Sequence, residues 1–169
     1  MPSHHIVRAF DEELAYLGNR IAAMGGHAER MVDESVAALV NGDVALAAKV
    51  VGDDAVLDAL QREVDDRVIV IIARRQPMAE DLREIIGTIR IAAELERVGD
   101  LAKSNAKRVA AIAEARQPRQ IFRGLEALSN LALTQLKDVL DVYASRRVDA
   151  ISKIRDRDEE IDAVHTSLF

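Results

Sequence analysis

Two carboxylates stand where an apolar side chain is expected. Leu82, Ile85, Ile89 and Ala92 mark an apolar stripe, and Glu96 and Gly99 continue it at the same spacing. Asp100 follows Glu96 by four residues, one turn along the same helical face. A carboxylate turned into a helix bundle is costly unless it is paired or binds a cation. Asp54 repeats the pattern on a second stripe, Val50, Asp54, Leu57, Gln61, Val64, Val68 and Ile71, and Asp58 lies one turn further on. Acids recurring at inward positions point to a carboxylate-rich metal site between helices, formed by Glu96, Asp100, Asp54 and Asp58. A plainer explanation competes. Lys103 and Lys107 lie one and two turns after Asp100, placed to neutralise Glu96 and Asp100 as helix salt bridges.

Other chemistry is sparse. His4 and His5 lie at the N-terminus, and His27 sits beside an apolar stripe, more a boundary residue than a ligand. Asp162 and His165 have the i,i+3 spacing of a di-metal ligand pair, but a ferritin-like oxidase needs Glu-x-x-His on two helices, and that string is absent. There is no Gly-rich phosphate loop, no G-x-S-x-G and no H-E-x-x-H. The absence of cysteine excludes disulfides, thiolate-held iron–sulfur clusters and thiol catalysis.

These residues must be held by helices. Of the 169 residues, 49 % are apolar but only 3 % aromatic, so Ala, Val, Ile and Leu fill the core. A net charge of −6 argues against general binding of nucleic acid or an anionic membrane. The apolar run Val68–Ala73 is too short to span a bilayer, and Met-Pro-Ser-His-His is not a signal-peptide start. A cytoplasmic protein is expected.

Phe10, Leu14, Leu17, Ile21, Met24, Ala28, Met31, Ser35 and Ala38 alternate spacings of four and three, which predicts one long bundle helix. Asn41-Gly42-Asp43 ends it and caps the next, expected from Val44 to about Arg74. Pro77 suits the first position of a third helix. Gln117-Pro118-Arg119 links to a fourth, with a fifth running from near Val148 to the end. The lone glycine pair, Gly25-Gly26, falls inside the first helix and predicts flexibility or a close helix contact.

Asp54-Ala-Val-Leu57-Asp58 recurs as Asp158-Glu-Glu-Ile161-Asp162, and Met24, Leu39 and Val50 find counterparts in Leu128, Tyr143 and Ile154. Helices four and five thus repeat helices one and two. The expected architecture is all-α: tandem three-helix bundles, the first complete over 1–117, the second, 118–169, lacking its last helix. The chain then reads as a fragment, about one third short; a longer native chain, a partner subunit or an exchanged helix would supply the missing helix, and a homo-oligomer is expected.

Three strings carry a resemblance: His5-Ile-Val-Arg-Ala-Phe-Asp-Glu-Glu-Leu14, Ala73-Arg-Arg-Gln-Pro-Met-Ala-Glu-Asp-Leu-Arg83 and Glu94-Leu-Glu-Arg-Val-Gly-Asp100. Together, in this order, they closely resemble the PhoU family of bacterial phosphate-signalling regulators, across residues 5–169. The resemblance implies two tandem three-helix bundles and no enzyme activity. It implies metal binding, iron or zinc before magnesium or manganese, through an E-x-x-x-D motif that maps onto Glu96 and Asp100. It also implies an adaptor role between the ATPase subunit of the phosphate transporter and a membrane sensor histidine kinase. Such an adaptor restrains phosphate uptake and regulon signalling when phosphate is plentiful, and reaches the membrane only through its partners. Arg75, Gln76, Asp81 and Arg83, around the Gln-Pro turn, become candidates for partner contact, although Asp81 also suits a helix N-terminus on electrostatic grounds alone. The sequence departs from the family where an Asn-Ile pair is usual: Ser104 and Asn105 stand there. The family's second E-x-x-x-D would lie beyond Phe169.

Two other readings compete. A carboxylate metalloprotein or metalloenzyme needs an open coordination position and a His-rich site. A purely structural coiled coil is served poorly by acids in its seam.

Overall fold

A computed structural model describes residues 3–113 and 119–168, and every regular element among them is helical. Helices α1 (Ser3–Asn41), α2 (Val44–Arg75) and α3 (Ala79–Ala113) pack against one another as a three-helix bundle. Helix α4 (Arg119–Ser145) lies along α1, and α5 (Ile151–Asp156) and α6 (Asp158–Leu168) fold back onto α4.

The stripe of α1 becomes the core. Leu17, Ile21, Met24, Ala28, Met31 and Ala38 are buried against Val50, Leu57, Val64, Val68 and Ile71 of α2 and Ile85, Ala92, Leu95 and Val109 of α3. Each large aliphatic side chain removed from water contributes about 1.5–3 kcal/mol. The α1–α2 corner forms as its chemistry dictates. Gly42 takes φ +64°, and the Asp43 carboxylate accepts the Leu46 N–H at 2.9 Å.

Three local features differ from the sequence reading. Pro77 is not the first residue of α3. Gln76 adopts a left-handed conformation (φ 49°, ψ 53°) and returns its N–H to the Ile72 carbonyl, which closes α2 and leaves Pro77 in the turn. Leu82 is not in the seam. It is exposed in the opening turns of α3, in step with exposed Met78 and Ile86 at four-residue intervals. The fifth helix is not continuous. A 3₁₀ turn at Val148–Ala150 precedes α5, and a break at Arg157 separates α5 from α6. At that break Arg157 pairs with Asp138 of α4, and Gln135 of α4 donates to the Ile154 carbonyl at 3.3 Å. Contacts with α4 thus replace helical continuity there. The Gln117-Pro118 link lies outside the described residues.

Helix α4 reaches the same core. Leu136, Leu140 and Tyr143 pack against it, and Leu140 occupies the space that a side chain at Gly25 would need. The glycine pair therefore marks a close helix contact. A Thr88–Tyr143 hydroxyl contact of 3.3 Å and an Arg146–Glu84 ion pair tie the end of α4 to α3.

Candidate carboxylate site and partner-facing turn

Gly99 sets the distance between α2 and α3. Leu57 fills the volume that a β-carbon at position 99 would take, with Met31 closing the other side. This close approach brings Asp54 and Asp58 of α2 opposite Glu96 and Asp100 of α3. Asp54 is only 6 % exposed, whereas the Asp100 side chain is 54 % exposed, so the cluster opens to solvent at Asp100. Burial pushes the Glu96 carboxyl above the usual carboxylate range, and Asp100, Asp58 and Asp54 add to the shift in that order.

Lys103 closes the cluster. Its ammonium donates a hydrogen bond to Asp54 Oδ2 and lies 3.7 Å from Asp100 Oδ1. The Asp54 bond holds the lysine above its ordinary range, against the opposing effect of desolvation, with the Asp54, Asp100 and Asp58 charges adding to it. Lys107, two turns beyond Asp100, is exposed. Ser104 is turned to other work: its hydroxyl and carbonyl accept from Arg108 Nη1 at 2.9 and 3.0 Å.

The other candidate groups lie elsewhere. Asp158, the counterpart of Asp54, is exposed and takes a 3.4 Å contact from Gln135. It does not repeat the inward placement of Asp54, because α6 has no third helix over it among the described residues. His27 is a bridge between helices. Arg30 Nη2 meets its Nδ1 at 3.1 Å, which leaves Nε2 to donate to the Asp53 carbonyl at 2.9 Å. A separate cavity of about 630 Å³ between α1, α3 and α4, walled by Leu14, Leu17, Val142 and Tyr143, contains none of the four clustered acids.

The residues about the Gln-Pro turn divide into two groups. Arg75 is committed to the fold: its Nε donates to buried Glu13 at 2.9 Å, and Arg67 approaches the same carboxylate at 3.9 Å. Gln76, Asp81 and Arg83 are exposed, with Met78 at 80 % exposure between them. Gln76 and Ala79 both have positive φ, so the turn is fixed by two non-glycine residues in the left-handed region. Beside it, Leu82, Arg83, Ile86, Gly87 and Arg90 line a shallow groove of about 340 Å³. Sequence reasoning missed Tyr16, whose ring carries the guanidinium groups of Arg20 and Arg67, each 5.3 Å from its centroid. The i,i+4 spacing of Tyr16 and Arg20 was the available signal.

The PhoU domain profile matches residues 21–109, which hold all four clustered acids and the turn. Over all 169 residues the chain is 62 % identical to the phosphate-specific transport system accessory protein PhoU homolog of Rhizobium meliloti, of which it covers 71 %. The chain belongs to the PhoU family. A PhoU homolog from Caulobacter vibrioides is 38 % identical over 167 residues, 99 % of this chain and 73 % of that one. The crystal structure of PhoU from Pseudomonas aeruginosa superposes with a TM-score of 0.88 at 29 % identity, over 94 % of this chain and 76 % of that one. PhoU from Streptococcus pneumoniae, at 24 % identity and a TM-score of 0.85, shares the fold. PhoU proteins are regulatory accessory proteins, not enzymes.

The PhoU motif implies a metal at Glu96 and Asp100, and the donors about them test that implication. All four clustered side chains are carboxylates, an oxygen set suited to hard cations better than to zinc. Among the described residues, no three His, Cys, Asp or Glu side chains converge as an ion-holding group. The Lys103 ammonium already engages Asp54 and flanks Asp100. The residues as folded do not fit a bound metal.

Proposed function

We propose that this chain is a regulatory accessory protein of phosphate-specific transport, acting as an adaptor by protein–protein contact. The carrying observation is its 62 % identity, over its whole length, to a PhoU homolog named as an accessory protein of that transport system. Its partners in this reading are the transporter's ATPase subunit and a membrane sensor histidine kinase, met at the cytoplasmic face. No helix among the described residues is long and apolar enough to cross a membrane. Residues 1–117 and 118–169 are read as successive PhoU repeats, with a homo-oligomer as the working form.

The surface at the α2–α3 turn supports docking there. The Arg75–Glu13 pair anchors the end of α2 to α1, and left-handed Gln76 closes that helix at the turn. Met78, Leu82 and Ile86 then offer an apolar stripe with Arg83 and Arg90 beside it. Partner binding through this stripe restrains uptake when phosphate is plentiful.

The test is a pull-down of the ATPase subunit and the kinase with wild type, Met78→Asp and Arg83→Glu, alongside a phosphate-regulon reporter in cells carrying each variant. Loss of capture with release of the reporter supports the reading. Undiminished capture of both partners by both variants refutes docking at this turn, and absence of capture by wild type refutes the adaptor role.

A further inference from the structure

We infer that Lys103 is the resident cation of the α2–α3 carboxylate cluster, supplying from within the chain the positive charge that the family motif assigns to a metal ion. A buried carboxylate requires a partner, and Asp54, the most buried of the four acids, has the Lys103 ammonium as its hydrogen-bond donor. The same ammonium lies 3.7 Å from Asp100. Positions 96, 100 and 103 share one face of α3, so a lysine at 103 points into the space between the motif acids and α2. Its side chain is 27 % exposed, and its charged end meets Asp54 and Asp100.

A divalent cation entering this space meets a like charge and must take Asp54 from it. Removing the Lys103 charge leaves four carboxylates facing one another across a helix pair drawn close at Gly99, with no cation among them. Lys103 is therefore the charge on which the neutrality of this cluster depends.

The experiment compares the full chain with Lys103→Gln and Lys103→Arg, prepared free of metal and titrated with Mn²⁺. Bound metal is measured after equilibrium dialysis, and Tm is followed at each concentration. Wild type and Lys103→Arg should bind substoichiometrically with Tm unmoved. Lys103→Gln should likewise take up no stoichiometric Mn²⁺ and should lose Tm against wild type near neutral pH, a loss that adding Glu96→Gln restores by more than that change raises wild type. Stoichiometric Mn²⁺ on wild type, lost on Glu96→Gln, overturns the inference, as does a folded Lys103→Gln whose Tm equals that of wild type. Should Lys103→Gln not fold, the wild-type titration still decides: a flat Tm supports the inference, and a rise abolished by Glu96→Gln refutes it.

Discussion

Leu57 of α2 packs directly over the α-carbon of Gly99 in α3. Every carboxylate of the cluster lies within one turn of this contact along its own helix, so the contact fixes how far the two acidic faces stand apart. Gly99→Ala should therefore act on both stability and electrostatics. Overpacking at a filled position costs about 1–3 kcal/mol, read as a loss of Tm. The Leu57→Ala change in the same chain should return part of that loss, since it frees the volume the new methyl needs. Additive losses in the double variant would refute the contact.

Glu96 gives the bundle a pH dependence of defined sign. Its carboxyl titrates above the unfolded value, chiefly because it is partly buried and secondly because of Asp100. A raised carboxyl contributes stability fully below the unfolded pKa and loses it as pH rises through the folded one. Glu96→Gln should thus raise Tm relative to wild type near neutral pH. The difference should vanish towards about pH 4. Thermal unfolding across that range checks it, and a Glu96→Gln effect that is constant with pH would exclude this origin.

Arg75 and Arg83 lie eight residues apart near one turn, with opposite expected roles. Arg75→Ala leaves buried Glu13 without its close partner and should cost about 2 kcal/mol. Arg83→Ala, on an exposed side chain, should stay within about 0.5 kcal/mol of wild type. Urea unfolding of the two variants separates them. Equal stabilities would mean that Arg67 alone suffices for Glu13.

Asp43 caps α2 through the Leu46 N–H. Asp43→Ala should cost about 1 kcal/mol, and Asp43→Ser should recover most of it. Chemical denaturation is the check.

The sequence made the bundle legible because aliphatic spacing repeats over long helices. The stripe from Leu17 to Ala38 is buried throughout, and Asp54 is buried where its spacing placed it. The failures cluster at helix ends. Leu82 keeps the period of its stripe but lies in the opening turns of α3, among exposed neighbours. Arg157 breaks a helix through partners in α4 that no local pattern announces. At the carboxylates, spacing revealed which acids share a face. It left open whether a metal or Lys103 answers them, because that depends on where a flexible side chain ends, and local spacing does not set that.

Helix α4 touches the core through Leu136, Leu140 and Tyr143, while α5 and α6 pack chiefly against α4 itself. The chain therefore has an order of dependence. The last helices can detach without disturbing α1–α3, but displacing α4 uncovers Gly25 and opens a flank of the bundle. Amide exchange should follow that hierarchy, fastest in α6, intermediate in α4 and slowest in the α1–α3 centre. A pull on the C-terminal helices would be transmitted along α4 to Tyr143 and Thr88, and so to the same helix that carries Glu96, Asp100 and Lys103.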